Sequence, residues 1–202
     1  MEKKNLILDL GGVILKIDYQ LTINAFKKIG MPQAEKLYSQ QSQIPLFDQL
    51  EKGEINETDF FRDIRSMGQS SESDDEIRRC WNSLIIELPE ENVKRLYELK
   101  KSYRLFLLSN TNSIHEIAYR EMIIQQYGSF VFDDIFEKMY LSHLVHLREP
   151  SRDIFEFVIA DGQLEKSETL FIDDSIQHVE AARKSGIDSV LFPAGKLLKE
   201  VI

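Results

Sequence analysis

The sequence predicts an α/β protein, a doubly wound (Rossmann-like) parallel sheet interrupted by an inserted helical block. Three observations carry this. The chain opens on an apolar run, Leu6-Ile-Leu8, that ends in Asp9-Leu-Gly-Gly12. An apolar run closed by turn residues is the pattern of a strand buried on both faces. From Lys16 to about Leu88 the apolar spacing is helical, and from Pro89 onward strands alternate with helices. Strand–helix–strand repetition implies parallel pairing with right-handed crossovers. The predicted core therefore comprises residues 1–16 and 89–202, with 17–88 inserted after the first strand.

In the inserted block, Ile23, Phe26 and Ile29 recur at helical spacing. So do Phe60, Ile64 and Met67 after a cap-like Asn56, and Ile77, Trp81 and Leu84. Four or five short helices fit, with Ser66 to Asp75 as a polar loop. Pro89, Glu90 and Glu91 open the next helix, whose Val93, Leu96, Tyr97 and Leu99 are predicted to face inward. Arg104–Ser109 reads as a strand, Asn112 to Tyr127 as a helix and Met139 to Ser142 as a short strand. Ser151 to Asp161 is a helix ended by Gly162, and Thr169 to Ile172 a strand. Ser175 to Ser185 is a helix closed by Gly186, and Asp188 to Phe192 the last strand. The aromatic-rich Phe130 to Phe136 segment reads as a connection packed on the core.

Composition excludes several classes. With 25 Lys and Arg against 34 Asp and Glu, the net charge is -9 and no basic stripe marks a nucleic-acid binder. The single cysteine, Cys80, excludes an intrachain disulfide or a multi-cysteine metal site and fits a reducing compartment. The basic start followed by an apolar run has the outline of a signal peptide. Asp9 interrupts that run and no small-residue cleavage site follows, so a cytoplasmic protein is expected. No apolar stretch of about 18 residues is present to span a membrane.

The chemistry is expected at three strand ends: Asp9, Ser109-Asn-Thr-Asn112, and Asp173-Asp174. In a parallel sheet the carboxyl ends of neighbouring strands converge, so these groups can share one site. Gly11 and Gly12 let the backbone turn and bring N–H groups close to a ligand. One of the paired acids could simply cap the helix beginning at Ser175. Two adjacent acids plus Asp9 repel one another unless a cation sits among them, and an all-oxygen set suits Mg²⁺ better than Zn²⁺. His115, His143, His146 and His178 read as scattered polar residues without a clustered third ligand. His178, one turn after Asp174, could orient it; Tyr19 and Phe47 could line a substrate entrance, and Trp81 belongs to the core of the helical block.

Taken in order, these motifs resemble the haloacid dehalogenase-like hydrolases, most of which are Mg²⁺-dependent phosphatases. The resemblance covers essentially the whole chain through Asp9-Leu-Gly-Gly-Val13, Ser109, the Leu147-Arg-Glu-Pro150 region and Asp173-Asp174. Within the family it looks closest to an α-D-glucose-1-phosphate phosphatase-like branch, through Phe47-Asp-Gln-Leu-Glu-Lys-Gly-Glu54, Leu108-Ser-Asn-Thr-Asn112 and Met139-Tyr-Leu-Ser142. It implies that the inserted block is a helical cap and that the substrate is a small phosphorylated metabolite. It further implies that Asp9 attacks phosphorus, that Mg²⁺ is held by Asp9, the Gly11 carbonyl, Asp174 and Asp173, and that Ser109 and the Asn110 N–H bind phosphate. Two positions depart from the family pattern. Gly11 stands where most members carry a second, general-acid aspartate, and Glu149 stands where members carry a lysine. With Glu149 facing inward the pocket would repel a phosphate dianion. Three resolutions are open: Glu149 turns outward and Arg148 swings in as its substitute, a lysine arrives from elsewhere, or activity has been lost and the protein binds or regulates. Arg148 could equally make an ordinary surface ion pair.

Overall fold

A computed structural model describes residues 2–34 and 44–202. The part of the predicted helical block at 35–43 lies outside the described residues. β1 (Asn5–Leu8), β4 (Arg104–Ser109), β5 (Lys138–Leu141), β6 (Thr169–Asp173) and β7 (Asp188–Leu191) form one sheet in the order β5-β4-β1-β6-β7, all parallel. The chain builds outward from β1 to β5 on one side, then crosses to β6 on the other. β1 is thus the strand at which the winding reverses, and its carboxyl end opens into the crevice where such sheets bind ligands.

Alternation along the strands supplies two cores. Leu6, Leu8, Leu105 and Leu107 point to one face, packing on Val93, Leu96 and Leu99 of α5 (Glu90–Leu99) and Tyr119 and Ile123 of α6 (Ser113–Tyr127). Ile7, Phe106, Leu108 and Phe171 point to the other, against Ile154, Phe155 and Val158 of α9 (Arg152–Asp161) and Ala182 of α10 (Ile176–Lys184). Strands buried on both faces need apolar residues at every position, which is why Leu6-Ile-Leu8 shows no polar alternation.

A third apolar cluster belongs to the inserted stretch. It joins α1 (Tyr19–Lys28), α2 (Pro45–Glu51), α3 (Glu57–Gly68) and α4 (Asp74–Asn82), the four helices described there. Asp18, Asn56 and Ser73 cap α1, α3 and α4 by accepting a backbone N–H. Trp81 is its centre, 1% exposed, with Phe47 and Phe60 each at 5.0 Å and the His115 ring stacked on it at 4.9 Å. A short antiparallel ribbon, β2 (Lys16–Ile17) with β3 (Ile85–Glu87), stands where the chain enters and leaves this stretch.

Several expectations need correction. α3 runs to Gly68 and α4 starts at Asp74, so the loop predicted from Ser66 to Asp75 shrinks to 69–73, because Asp74, Asp75 and Glu76 form the charged first turn of a helix. Met67, in helical spacing with Phe60 and Ile64, is nonetheless 45% exposed, and Tyr97, predicted to face inward, is 38% exposed. Leu84 is buried but lies beyond the end of α4. The ribbon was not legible because strands of two and three residues carry no period. Phe130 to Phe136 does pack on the core, around a short helix α7 (Phe132–Ile135), and a further single turn, α8 (Ser142–Val145), follows β5. No helix among the described residues is long and apolar enough to cross a membrane.

Removing a fully buried aromatic leaves a cavity that costs about 3–5 kcal/mol, whereas exposed positions change stability by about 0.5 kcal/mol or less. Trp81→Ala is therefore expected to lower the urea midpoint strongly, and Met67→Ala to leave it nearly unchanged.

Candidate active site

The carboxyl ends of β1, β4 and β6 enclose a cavity of about 100 Å³. Asp9, Gly11, Ser109, Asn110, Asp174 and His178 line it from the sheet side, and Tyr19, Glu51, Leu84 and Ile85 from the inserted stretch. Register places the acids together: Leu8 pairs with Ile172, and Asp9 N donates to Ile172 O at 3.0 Å, so Asp9 and Asp173 leave adjacent strands side by side. Asp9 is 8% exposed and Asp173 fully buried. Burial first, then the negative charges of Asp173 and Asp174, push the Asp9 carboxyl well above the usual carboxylate range, against the lowering effect of N–H groups at Leu10 and Gly11. Burial and the same acids raise the Tyr19 phenol.

The two adjacent acids divide their work. Asp173 Oδ1 accepts from Ser175 N at 2.6 Å and Oδ2 meets His178 Nδ1 at 3.0 Å, so it braces the start of α10. His178 thus orients Asp173, not Asp174 as predicted, since one helical turn from Asp174 returns the ring to the preceding strand end. Asp174 reaches the cavity over Gly12, where a Cβ would lie 2.3 Å from Asp174 Oδ2 and where φ is +85°. Gly12 is therefore needed to admit the Asp174 carboxylate. The fit to a divalent cation follows from this donor chemistry: two carboxylates and the Gly11 backbone face one small cavity whose charge pile-up already disfavours the ionised form of Asp9.

Glu149 points inward. It is 0% exposed, and burial first, then Asp173 and Asp9, raise its carboxyl well above the usual range. The outward turn that would let Arg148 take its place does not occur. Asn110 explains why: its Oδ1 accepts from Glu149 N and its Nδ2 donates to Glu149 O, both at 3.0 Å, fixing the backbone. Arg148 borders the cavity but its terminal nitrogens pair with Asp48 and Glu51 of α2, each at 2.8 Å. No lysine lines the cavity among the described residues. The pair on α2 also gives the 47–54 motif a physical role. Asp48 and Glu51 bind Arg148, His146 Nδ1 lies 2.7 Å from Lys52 O, and a Cβ on Gly53 would meet His143 O at 2.4 Å.

Phe47 does not line an entrance; it is 1% exposed and stacked on Trp81. Tyr19 does face the cavity. Of the other histidines, His143 pairs with Glu116 at 2.9 Å, and His115 is buried against Trp81 with Nδ1 2.8 Å from Asn82 Oδ1. Thr111, within the predicted Ser109–Asn112 strand end, donates its N–H to Ser142 Oγ at 2.9 Å. Sequence reasoning missed the grouping of His178 with Glu149 and Asp173, which offer one ligand atom each within 4.8 Å of one another.

Fold and site together define a hydrolase of the doubly wound α/β type with its acids at the winding reversal. Residues 7–192 match the haloacid dehalogenase-like hydrolase family, and the chain belongs to it. A relative, the D-ribitol-5-phosphate phosphatase of Bacteroides thetaiotaomicron, is 28% identical over 186 residues, covering 92% of this chain and 90% of the relative. A crystal structure of a HAD family enzyme from the same organism, an aspartate-to-alanine variant in complex with magnesium and inorganic phosphate, superposes with a TM-score of 0.90 at 33% identity over 98% of both chains. A predicted HAD-like hydrolase from Porphyromonas gingivalis gives 0.86 at 28% identity, covering 97% of this chain and 94% of that one.

Two tests follow. Gly12→Ala combines left-handed backbone strain of about 1–2 kcal/mol with displacement of Asp174, and is expected to weaken Mg²⁺ binding in calorimetry. Burial drops the His115 pKa from 6.5 to about 3. The unfolded chain therefore binds the extra proton between those values, and stability is full above pH 6.5 and declines on acidification. By pH 4 the His115 contribution to that decline is about 3 kcal/mol; urea unfolding of His115→Phe should show a pH dependence shallower by that amount.

Proposed function

We propose that the chain is a Mg²⁺-dependent phosphatase of a small sugar or polyol phosphate, working through an aspartyl-phosphate on Asp9. The observation that carries this is the convergence of Asp9 and Asp174 with Ser109 and Asn110 on one small cavity. The magnesium and phosphate of the B. thetaiotaomicron structure, and the ribitol 5-phosphate activity of the relative, support it.

Asp9, the Gly11 carbonyl and Asp174 would hold Mg²⁺, with Asp173 bracing them through Ser175 and His178. The ion supplies charge neutralisation and orientation of the phosphate. The Ser109 hydroxyl and the Asn110 N–H bind phosphate oxygens at the strand end leading into α6, whose N-terminus favours anions. A carboxylate oxygen of Asp9 attacks phosphorus as the ester P–O bond breaks, and the departing alkoxide takes a proton from water because Gly11 offers no acid. Water then attacks phosphorus, releasing inorganic phosphate and restoring the Asp9 carboxylate. Residues 17–88 serve as a cap over the cavity, selecting substrate through Tyr19, Leu84 and Ile85. Arg148, through Asp48 and Glu51, ties that cap to the core, and contacts phosphate only when those pairs open. The single buried cysteine suits the cytoplasm.

A second reading rests on Glu149. An inward carboxylate in place of a cation opposes phosphate binding, as in a silent protein that keeps the fold for binding or regulation. Turnover of ribitol 5-phosphate, glucose 1-phosphate and an aryl phosphate, measured with Mg²⁺ and after chelation, separates the two. The phosphatase reading expects metal-dependent turnover that Asp9→Asn lowers by about 10⁴-fold or more. An inert parent that gains activity on Glu149→Lys establishes the silent reading instead.

A further inference from the structure

Neither carboxylate oxygen of the fully buried Glu149 is met by an N–H or hydroxyl donor; what faces it is the Asp173 carboxyl, which adds to burial in raising its pKa, and His178 at 3.8 Å. Such a group persists only if a proton or a cation neutralises it. Its surroundings are built for a cation. Glu149 Oε1 lies 3.8 Å from His178 Nδ1, which in turn lies 3.0 Å from Asp173 Oδ2. The three donors come from the loop before α9, the end of β6 and the first turn of α10, and all fall within 4.8 Å of one another. The Asn110 side chain holds Glu149 by both its backbone N–H and its carbonyl, so the position of this carboxylate is set by the fold. The neighbouring guanidinium of Arg148 is committed to Asp48 and Glu51.

We infer that Glu149, Asp173 and His178 form a second divalent-cation site, distinct from the Asp9, Gly11 and Asp174 set, which takes a transition ion such as Zn²⁺. An imidazole nitrogen with two carboxylates is a donor set for Zn²⁺ or Mn²⁺ in preference to Mg²⁺. Ligand bonds of about 2.0–2.2 Å place donors roughly 3.3–3.6 Å apart in a tetrahedral site, so the three need close only slightly. On binding, the His178 imidazole carries its one ring proton on Nε2, leaving Nδ1 to ligate the ion, which replaces its contact with Asp173. Three protein ligands leave a coordination position open, and His178 borders the cavity, which supplies the route of entry.

The consequence for phosphate rests on the phosphatase reading; the site itself does not. Asp9 and Asp174 line the cavity, and the buried Asp173 and Glu149 act on Asp9 or its neighbours from behind it, which gathers four carboxylates at this end of the sheet. One Mg²⁺ leaves two negative charges facing an incoming dianion. A second divalent ion brings the set to neutrality and adds an electrophile beside the phosphate.

Equilibrium dialysis against Zn²⁺ in the presence of excess Mg²⁺, followed by metal analysis, tests this. One Zn²⁺ per chain is expected. Glu149→Gln, which keeps shape and removes a buried charge, and His178→Ala should each weaken Zn²⁺ binding at least tenfold, with folding checked by circular dichroism. Asp174→Asn should lose Mg²⁺ and retain Zn²⁺. If the parent takes up no Zn²⁺, or Glu149→Gln binds it with parental affinity, the inference is overturned and the carboxyl carries a proton instead. A chain that binds Zn²⁺ through Glu149 yet hydrolyses no phosphate ester keeps the site and overturns only the phosphatase reading.

Discussion

Like charges gathered at the carboxyl ends of β1 and β6 are the constraint on which the rest of this structure depends. The parallel register that buries Leu8 beside Ile172 also puts Asp9 beside Asp173, and Gly12 is bare so that Asp174 can lean in. Burial first, then Asp173 and Asp174, makes Asp9 harder to ionise, and burial with Asp173 and Asp9 does the same to Glu149. The fold tolerates this because Asp173 is hydrogen-bonded to Ser175 N and His178, and because the sheet on either side is packed with aliphatic and aromatic residues from two layers of helices. A site assembled at such cost to the empty protein is organised around a positive partner.

The inserted stretch meets this centre at two levels. Its aromatic cluster reaches the core through His115 and Ile114 of α6, which leave β4 just past Ser109. Its α2 reaches the other side through Arg148, adjacent to Glu149. Elements flanking the cavity therefore respond to the same loops that carry its polar groups. Gly53 belongs to this contact: only a residue without Cβ allows α2 and its turn to lie directly on the 143–146 backbone.

Most of the sheet was legible in the sequence because strands buried on both faces announce themselves as unbroken apolar runs. Asp9, Ser109 and Asp174 were legible because polar residues at the ends of such runs have little reason to be there unless they face a ligand. What the sequence could not convey was direction. Nothing in Leu147-Arg-Glu-Pro150 says that the acid turns into the interior and the base toward α2; that depends on Asn110, 39 positions away, clamping one backbone unit, and on Asp48 and Glu51. For the same reason His178 looked like a partner of its helical neighbour Asp174, when backbone geometry delivers it to Asp173. The β2–β3 ribbon escaped because pairing between residues so far apart leaves no local period.

The central claim is that buried carboxylates at these strand ends are held in check by a bound divalent ion. Thermal unfolding followed across a Mg²⁺ titration tests it most directly, since a ligand at a hundred times its dissociation constant adds about 2.7 kcal/mol to the native state alone. The midpoint should climb with Mg²⁺ in the parent and stay flat in Asp174→Asn. A parent whose midpoint ignores Mg²⁺ would contradict the account.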